Sequence, residues 1–367
     1  MVAIRLLSGE NLPGQNHYLT YPALKALPKI DLHRHLEGSL RLQTLAEIAQ
    51  EHRIDLPAYD GESLRPYVQM TDERPSSKSF LAKFRVLRRF YQSQETISRL
   101  AYEAVADAAA DNVRYLELRF SPQALSRVRG FTFSEVTDWV IEATTRASKD
   151  FNIQVGLIVT IVRHDPLKTA RRAAEVAFDR HEKGIVGLDL AGDEVHYPMT
   201  PFRDLFIEAK RLGMGITIHA GEWSGAETVE EAIIDLGADR LGHGVRAVEN
   251  SRTVKLVRER SVTLEICLTS NIQTAVVQDI SHHPLVDLLD LNLLATLNTD
   301  DPCVSDSTLT DEYQVAVQEL NLGYAALRQM TMNAAEAAFL PDDKRRELKA
   351  YFESQLGGSE QLAVNSW

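Results

Sequence analysis

The stretch GITIHAGEWSGAETVEEAIIDLGADRLGHGV (215–245) decides the fold. It opens on an apolar run, GITIHAGE (215–222), passes through a helix-like segment (225–236), and ends on a second apolar run, DRLGHGV (239–245). Two strands joined through a helix run parallel. The same alternation recurs in both directions. The other predicted strands are KIDLHRHL (29–36), VRYLELRFS (113–121), IQVGLIVTIVR (153–163), IVGLDLAG (185–192), SVTLEICLTS (261–270) and LLATLNTD (293–300). Helix-like segments at 132–149, 166–182 and 201–212 separate several of them. Eight such units predict an α/β fold, a single (β/α)8 barrel of the TIM type. A doubly wound sheet would more naturally carry a phosphate-binding glycine motif after its first strand. The chain has neither G-x-G-x-x-G nor a P-loop.

One domain is expected over 29–367, with residues 1–28 as an N-terminal segment packing on the barrel and an extra helical lid insertion at about 39–112. Within the insertion, SKSFLAKFRVLRRFY (77–91) sets Phe80, Phe84, Leu87 and Tyr91 at helical spacing. That pattern fits an apolar lid at the barrel mouth, or a plain amphipathic helix packed on the barrel.

Of the 367 residues, 44% are hydrophobic and 25% charged, as in a soluble globular protein with an ample core. A formal net charge of −12 argues against nucleic acid or an anionic membrane as the main partner and suits a neutral small molecule. Two cysteines, Cys267 and Cys303, form neither a disulfide framework nor a zinc-finger spacing, which fits a cytoplasmic protein. No run of ~18 apolar residues predicts a membrane span.

Four motifs fall at the predicted strand ends, where such barrels carry their chemistry. His33 and His35 in DLHRHLEGS (31–39) are two apart on a strand, so both face one way, and Asp31 shares that face. His219 and Glu222 lie in HAGEW (219–223), His243 lies between two glycines in GHG (242–244), and Asp300 and Asp301 lie in NTDDP (298–302). Adjacent aspartates point oppositely in a regular strand, but at a strand's end both can reach one site. Three imidazoles and a carboxylate suit a divalent ion such as zinc, and the remaining Glu and His suit proton transfer. The fourth predicted strand has no lysine of the kind that bridges two metals, and the third histidine disfavours an iron oxygenase with two histidines and one carboxylate. His282 and His283 read as members of a polar turn, and His164 receives no role.

Together with FLAKF, VRYLELRFSP, LDLAGDE and TSN, these motifs make the chain similar to the adenosine deaminase family of the amidohydrolase superfamily, in the family's order from about residue 28 to about residue 302. The resemblance implies one Zn2+ per chain, held by His33, His35, His219 and Asp300. It implies that Glu222 protonates the purine ring nitrogen beside the attacked carbon, that His243 orients and polarises the attacking water, and that Asp300 belongs with them in catalysis. It places His35, Glu37, Phe80, Leu81, Phe84, Gly192 and Asp301 around the substrate. There Asp301 is the acceptor for a ring nitrogen on the imidazole side, the Gly192 N–H completes base recognition, and Glu37 meets the ribose. Ser270 falls where the family has a serine behind the ligands.

The implied reaction is zinc-dependent hydrolytic deamination of adenosine and 2′-deoxyadenosine to inosine and 2′-deoxyinosine, with release of ammonia. The partners are a small-molecule purine nucleoside and water, with no nucleic acid and no membrane; oligomeric state is not legible. Two departures bear on the substrate. Glu37 stands where adenosine deaminases often carry Asp and where deaminases of free adenine often carry Glu. Trp223 stands where smaller residues are common. The alternatives are therefore free adenine, a modified nucleoside such as aminodeoxyfutalosine, or an N6-methylated adenine nucleotide. A different class, a non-catalytic binding protein on the same scaffold, would have lost ligands or the proton donor, and none is missing.

Overall fold

The structure, a computed structural model, describes residues 19–56 and 59–357. Residues 1–18 of the expected N-terminal segment lie outside the described residues. Eight strands form one sheet in sequence order, every neighbouring pair parallel. They are β1 (Lys29–His35), β2 (Val113–Phe120), β3 (Gln154–Val162), β4 (Ile185–Ala191), β5 (Gly215–Ala220), β6 (Arg240–His243), β7 (Thr263–Ile266) and β8 (Leu294–Leu297). The circle closes just beyond β8. The Asp300 N–H donates to the His33 carbonyl and the His35 N–H donates to the Asp300 carbonyl, both at 2.8 Å. The predicted (β/α)8 barrel is thus the observed fold, and its closing bonds are made by three of the residues singled out as candidate ligands.

Alternation along each strand sorts the side chains. Leu116 and Leu118 of β2, Leu188 and Leu190 of β4, Ile216 and Ile218 of β5, and Leu264 and Ile266 of β7 join the main apolar layer under the surrounding helices. Their alternates Glu117, Arg119, Asp189, Thr217, His219 and Glu265 bond to one another or to other strands across the barrel interior. A barrel axis filled with charge instead of Val, Ile and Leu is costly unless each charge is paired and hydrogen-bonded. Here the pairing is dense. Glu265 accepts from Arg119 at 2.8 Å, Arg240 at 2.6 Å and Thr217 at 3.2 Å. Arg240 also bonds Glu117 and lies over the Phe339 ring, closing the axis at the end remote from the motifs.

Between β1 and β2 the chain forms helices Leu42–Glu51, Gly61–Val68, Ser77–Leu87 and Gln94–Ala110. The last packs against β2 and helix Phe133–Phe151 as an ordinary barrel helix. Helix Ser77–Leu87 begins where Ser76 accepts from the Ser79 N–H, a capping bond that satisfies one free donor of the first turn. No helix among the described residues is long and apolar enough to cross a membrane.

Candidate active site

At the C-terminal end of the barrel the four motifs converge. One donor atom from each of His33, His219, His243 and Asp300 lies within 4.8 Å of all the others. His35 Nε2 stands 3.3 Å from His219 Nε2 and 3.4 Å from Asp300 Oδ1. Glu222 Oε1 is 3.7 Å from His243 Nε2. All six residues are buried except His35, which is partly exposed.

Local backbone geometry explains how they meet. His243 and Asp300 both adopt left-handed φ, +62° and +63°. That conformation is costly for residues with a side chain and clusters at functional sites. At Asp300 it cancels the strand parity, so Asp300 and Asp301 both line the same cleft. The motif glycines make room. A Cβ on Gly242 would come within 3.1 Å of the His33 and His219 rings, and one on Gly38 would overlap the Asp301 carboxylate at 1.9 Å. Glu194 gathers the backbone N–H groups of Glu222, Trp223 and Ser224, which pins the loop carrying Glu222.

The hydrogen bonds behind each ring determine what faces the centre. His33 Nδ1 donates to Glu265 Oε2 at 2.8 Å, and His219 Nδ1 donates to Asp189 Oδ1 at 2.9 Å. Burial alone would raise Glu265, but Arg119, Arg240 and His33 hold it well below the usual carboxylate range. Burial likewise opposes the ionisation of Asp189, and His219 and Arg119 outweigh it. Both carboxylates therefore accept, so each ring in its neutral form, the form that ligates, turns a bare Nε2 to the centre. His33 Nε2 has no hydrogen-bond donor and sits 3.2 Å from Asp300 Oδ1. Two acceptors facing each other at that distance repel, and a cation between them removes the conflict. The donor set fits a divalent metal on that ground.

The remaining polar groups have distinct environments. Burial, then Asp300 and Glu194, push the Glu222 carboxyl well above the usual range. Burial, then Asp300 and Glu37, do the same to Asp301. Glu37 Oε1 accepts from the Ser121 N–H at 2.7 Å, its Oε2 has no partner, and burial pushes its pKa up to about 7. Each predicted site residue lines the cleft or stands among the converging groups: Phe80, Leu81 and Phe84 of helix Ser77–Leu87, with Glu37, Gly192, His35 and Asp301, border it beside Trp223, His164 and Arg88. Asp31 does not touch the imidazoles; it accepts from Thr299 Oγ1 at 2.6 Å and ties β1 to the strand end carrying Asp300.

Two expectations are corrected. The predicted strand 261–270 stops at Ile266, and TSN starts a helix, Leu268–Gln273. In it the Ser270 hydroxyl is buried without a partner, while its neighbour Asn271 reaches His243. His283, read as part of a polar turn, is 5% exposed and bonds Asn271. The sequence reading also passed over Asp189, Glu265 and Arg119, whose signal was a charge in the middle of an apolar strand.

The family model described as adenosine deaminase matches residues 28–353. The chain belongs to the adenosine deaminase family. It is 40% identical over 323 residues to an adenosine deaminase of Klebsiella pneumoniae subsp. pneumoniae, covering 88% of this chain and 97% of that one. To an adenosine deaminase of Edwardsiella ictaluri it is 39% identical over 322 residues, 88% and 96% of the two chains. Among solved structures of related deaminases, an adenine deaminase from Arthrobacter aurescens superposes with a TM-score of 0.80 at 25% identity, over 90% of this chain and 100% of the other. The N6-methyl-AMP deaminase from Arabidopsis thaliana superposes at 0.79 with 27% identity, over 91% and 98%.

Proposed function

We propose that this member of the adenosine deaminase family is a hydrolase that converts adenosine and 2′-deoxyadenosine to inosine and 2′-deoxyinosine, releasing ammonia. The observation that carries the reading is the meeting of six acid, base and ligand groups beside a cleft walled by Phe80 and Phe84, in a chain about 40% identical to adenosine deaminases over most of its length. One Zn2+ per chain would be held by His33, His35, His219 and Asp300. When bound there, the ion supplies a Lewis acid that lowers the pKa of water from about 15.7 toward about 7.

The chain's own residues then have separate tasks. His219 and His33 are held by Asp189 and Glu265 with lone pairs inward, as ligands require. His243 has an amide behind it instead of a carboxylate, and it orients the attacking water. Glu222 stays protonated in its buried position and gives that proton to the purine ring nitrogen as attack breaks aromaticity, a contribution of roughly 10²–10⁴ in rate. Asp301 reverses its sequence-based role. The imidazole-side ring nitrogen of a neutral purine offers only a lone pair, so Asp301 has to donate to it, and burial favours the protonated carboxyl that can do so. The unpartnered Glu37 Oε2 meets a sugar hydroxyl, and the Gly192 N–H completes recognition of the base.

Free adenine is the second reading, favoured by Glu37 and by the likeness to the Arthrobacter adenine deaminase. The test of the reaction is direct. Purified protein incubated with adenosine should lower the ultraviolet absorbance of the substrate and release ammonia in equal amounts. A chelator should abolish this and zinc restore it. Elemental analysis showing two metals per chain, or full activity in the chelator, would overturn the metal assignment.

A further inference from the structure

Behind His243 lies a chain of three hydrogen bonds whose first donor admits one role. The backbone N–H of Leu285 meets His283 Nδ1 at 3.1 Å. A backbone N–H only donates, so Nδ1 accepts. Burial pushes the His283 imidazole down to about 4, so the ring is neutral at pH 7 and carries its hydrogen on Nε2. That Nε2 is 3.1 Å from Asn271 Oδ1, a carbonyl oxygen that accepts. The other end of the same amide, Nδ2, therefore faces His243 Nδ1 at 3.1 Å and donates. His243 must then carry its own hydrogen on Nε2, the atom turned toward Asp300 and Glu222.

We propose that Asn271 and His283 are positioning residues that hold His243 as the Nε2–H tautomer, a hydrogen-bond donor toward the reaction centre and not a metal ligand. The contrast with its neighbours is chemical. His33 and His219 have carboxylates behind them, which accept and leave Nε2 a lone pair. His243 has an amide, whose orientation is imposed from outside the site by a backbone N–H. The donors and acceptors along the path are buried, so water does not compete for them. The elements are anchored as well: the Asn271 N–H donates to the Cys267 carbonyl, and the Asn271 carbonyl accepts from Val277. Without His283 the amide is free to rotate by 180°, and its oxygen would then draw the hydrogen onto His243 Nδ1.

This inference rests on the role given to His243 above, and its primary readout needs no substrate. Full-length zinc-loaded protein carrying ¹⁵N-histidine is observed by long-range ¹⁵N–¹H NMR, which separates protonated from unprotonated ring nitrogens. The His243 signals are identified by their loss in His243→Gln. Wild type should show protonated Nε2 and bare Nδ1 at His243. Asn271→Asp replaces the donating NH2 with an accepting oxygen, so the His243 hydrogen should move to Nδ1 and kcat should fall by ~10² or more with KM changed only a few-fold. His283→Leu should lose both the single tautomer and most of kcat. His283→Gln, whose amide can stand where Nε2 stood, should recover both. A bare Nε2 at His243 in wild type overturns the proposal whatever the variants do. So does an Asn271→Asp protein that keeps the wild-type tautomer and turnover.

Discussion

Asp189→Asn isolates the device that prepares His219. Asp189 is fully buried; its Oδ1 accepts from His219 Nδ1 at 2.9 Å, its Oδ2 accepts from Thr160 Oγ1 at 3.0 Å, and Arg119 Nη1 is 3.6 Å from Oδ2. Asparagine keeps the shape and can still accept from Thr160, which turns its NH2 toward His219. An NH2 there donates to Nδ1 and drives the ring hydrogen onto Nε2, the face that must be bare to bind metal. A hydrogen bond to a charged group is worth about 1.5–3 kcal/mol. Losing the partner behind a ligating histidine typically costs 10–100-fold in metal affinity, or about 1.4–2.7 kcal/mol, and the two ranges agree. Zinc affinity measured by competition with a chromophoric chelator should therefore fall by roughly 10–100-fold. Arg119 keeps Glu265 at 2.8 Å as counter-charge, so the metal-free protein should still fold, with a lower melting temperature. A variant that binds zinc within twofold of wild type would refute the claim that the carboxylate sets the His219 tautomer.

Three further outcomes follow from the same geometry. Glu222→Gln should keep the metal, because Glu222 is not among the ligands, and lose ~10²–10⁴ in kcat; steady-state kinetics with elemental analysis checks both. Phe84→Ala removes a ring lining the cleft; roughly 50 Å² of lost contact at ~25 cal/mol/Å² is about 1.3 kcal/mol, so KM should rise about tenfold with kcat nearly unchanged. His283 makes stability depend on pH. Its pKa is lowered from 6.5 to about 4 on folding, so between those values the unfolded chain binds a proton that the folded chain refuses, and stability falls as pH falls through that window. The difference is worth about 3 kcal/mol, and chemical denaturation of His283→Gln at pH 7 and pH 4.5 should show a correspondingly shallower loss.

Much of this is legible in the sequence. Parallel strands covered on both sides read as short apolar runs between amphipathic segments, which is why all eight strand positions emerge from the sequence within a few residues. Their ends do not, because the residues that leave the strands are the functional ones: His243 and Asp300 turn to positive φ where a regular strand would continue. The candidate ligands were visible as a spacing. The groups behind them were less so. Asp189 and Glu265 sit in mid-strand, and their pairing with His219 and His33 bridges different strands and distant positions. His283 is hidden for a tertiary reason, since its neighbours Ser281 and His282 are exposed and Asp279 is half-buried while its own ring is covered.

One set of rates decides the substrate. Adenosine, 2′-deoxyadenosine, adenine and N6-methyl-AMP are compared by kcat/KM on the zinc-loaded protein, alongside Glu37→Ala. Both nucleosides should be deaminated far faster than adenine, and Glu37→Ala should weaken adenosine turnover while leaving adenine almost unchanged, because a buried acceptor built for a sugar hydroxyl is left unpaired by the free base. Higher catalytic efficiency on adenine or on the nucleotide would contradict this, and Glu37 or Arg88 at the cleft would then be the residue to re-examine.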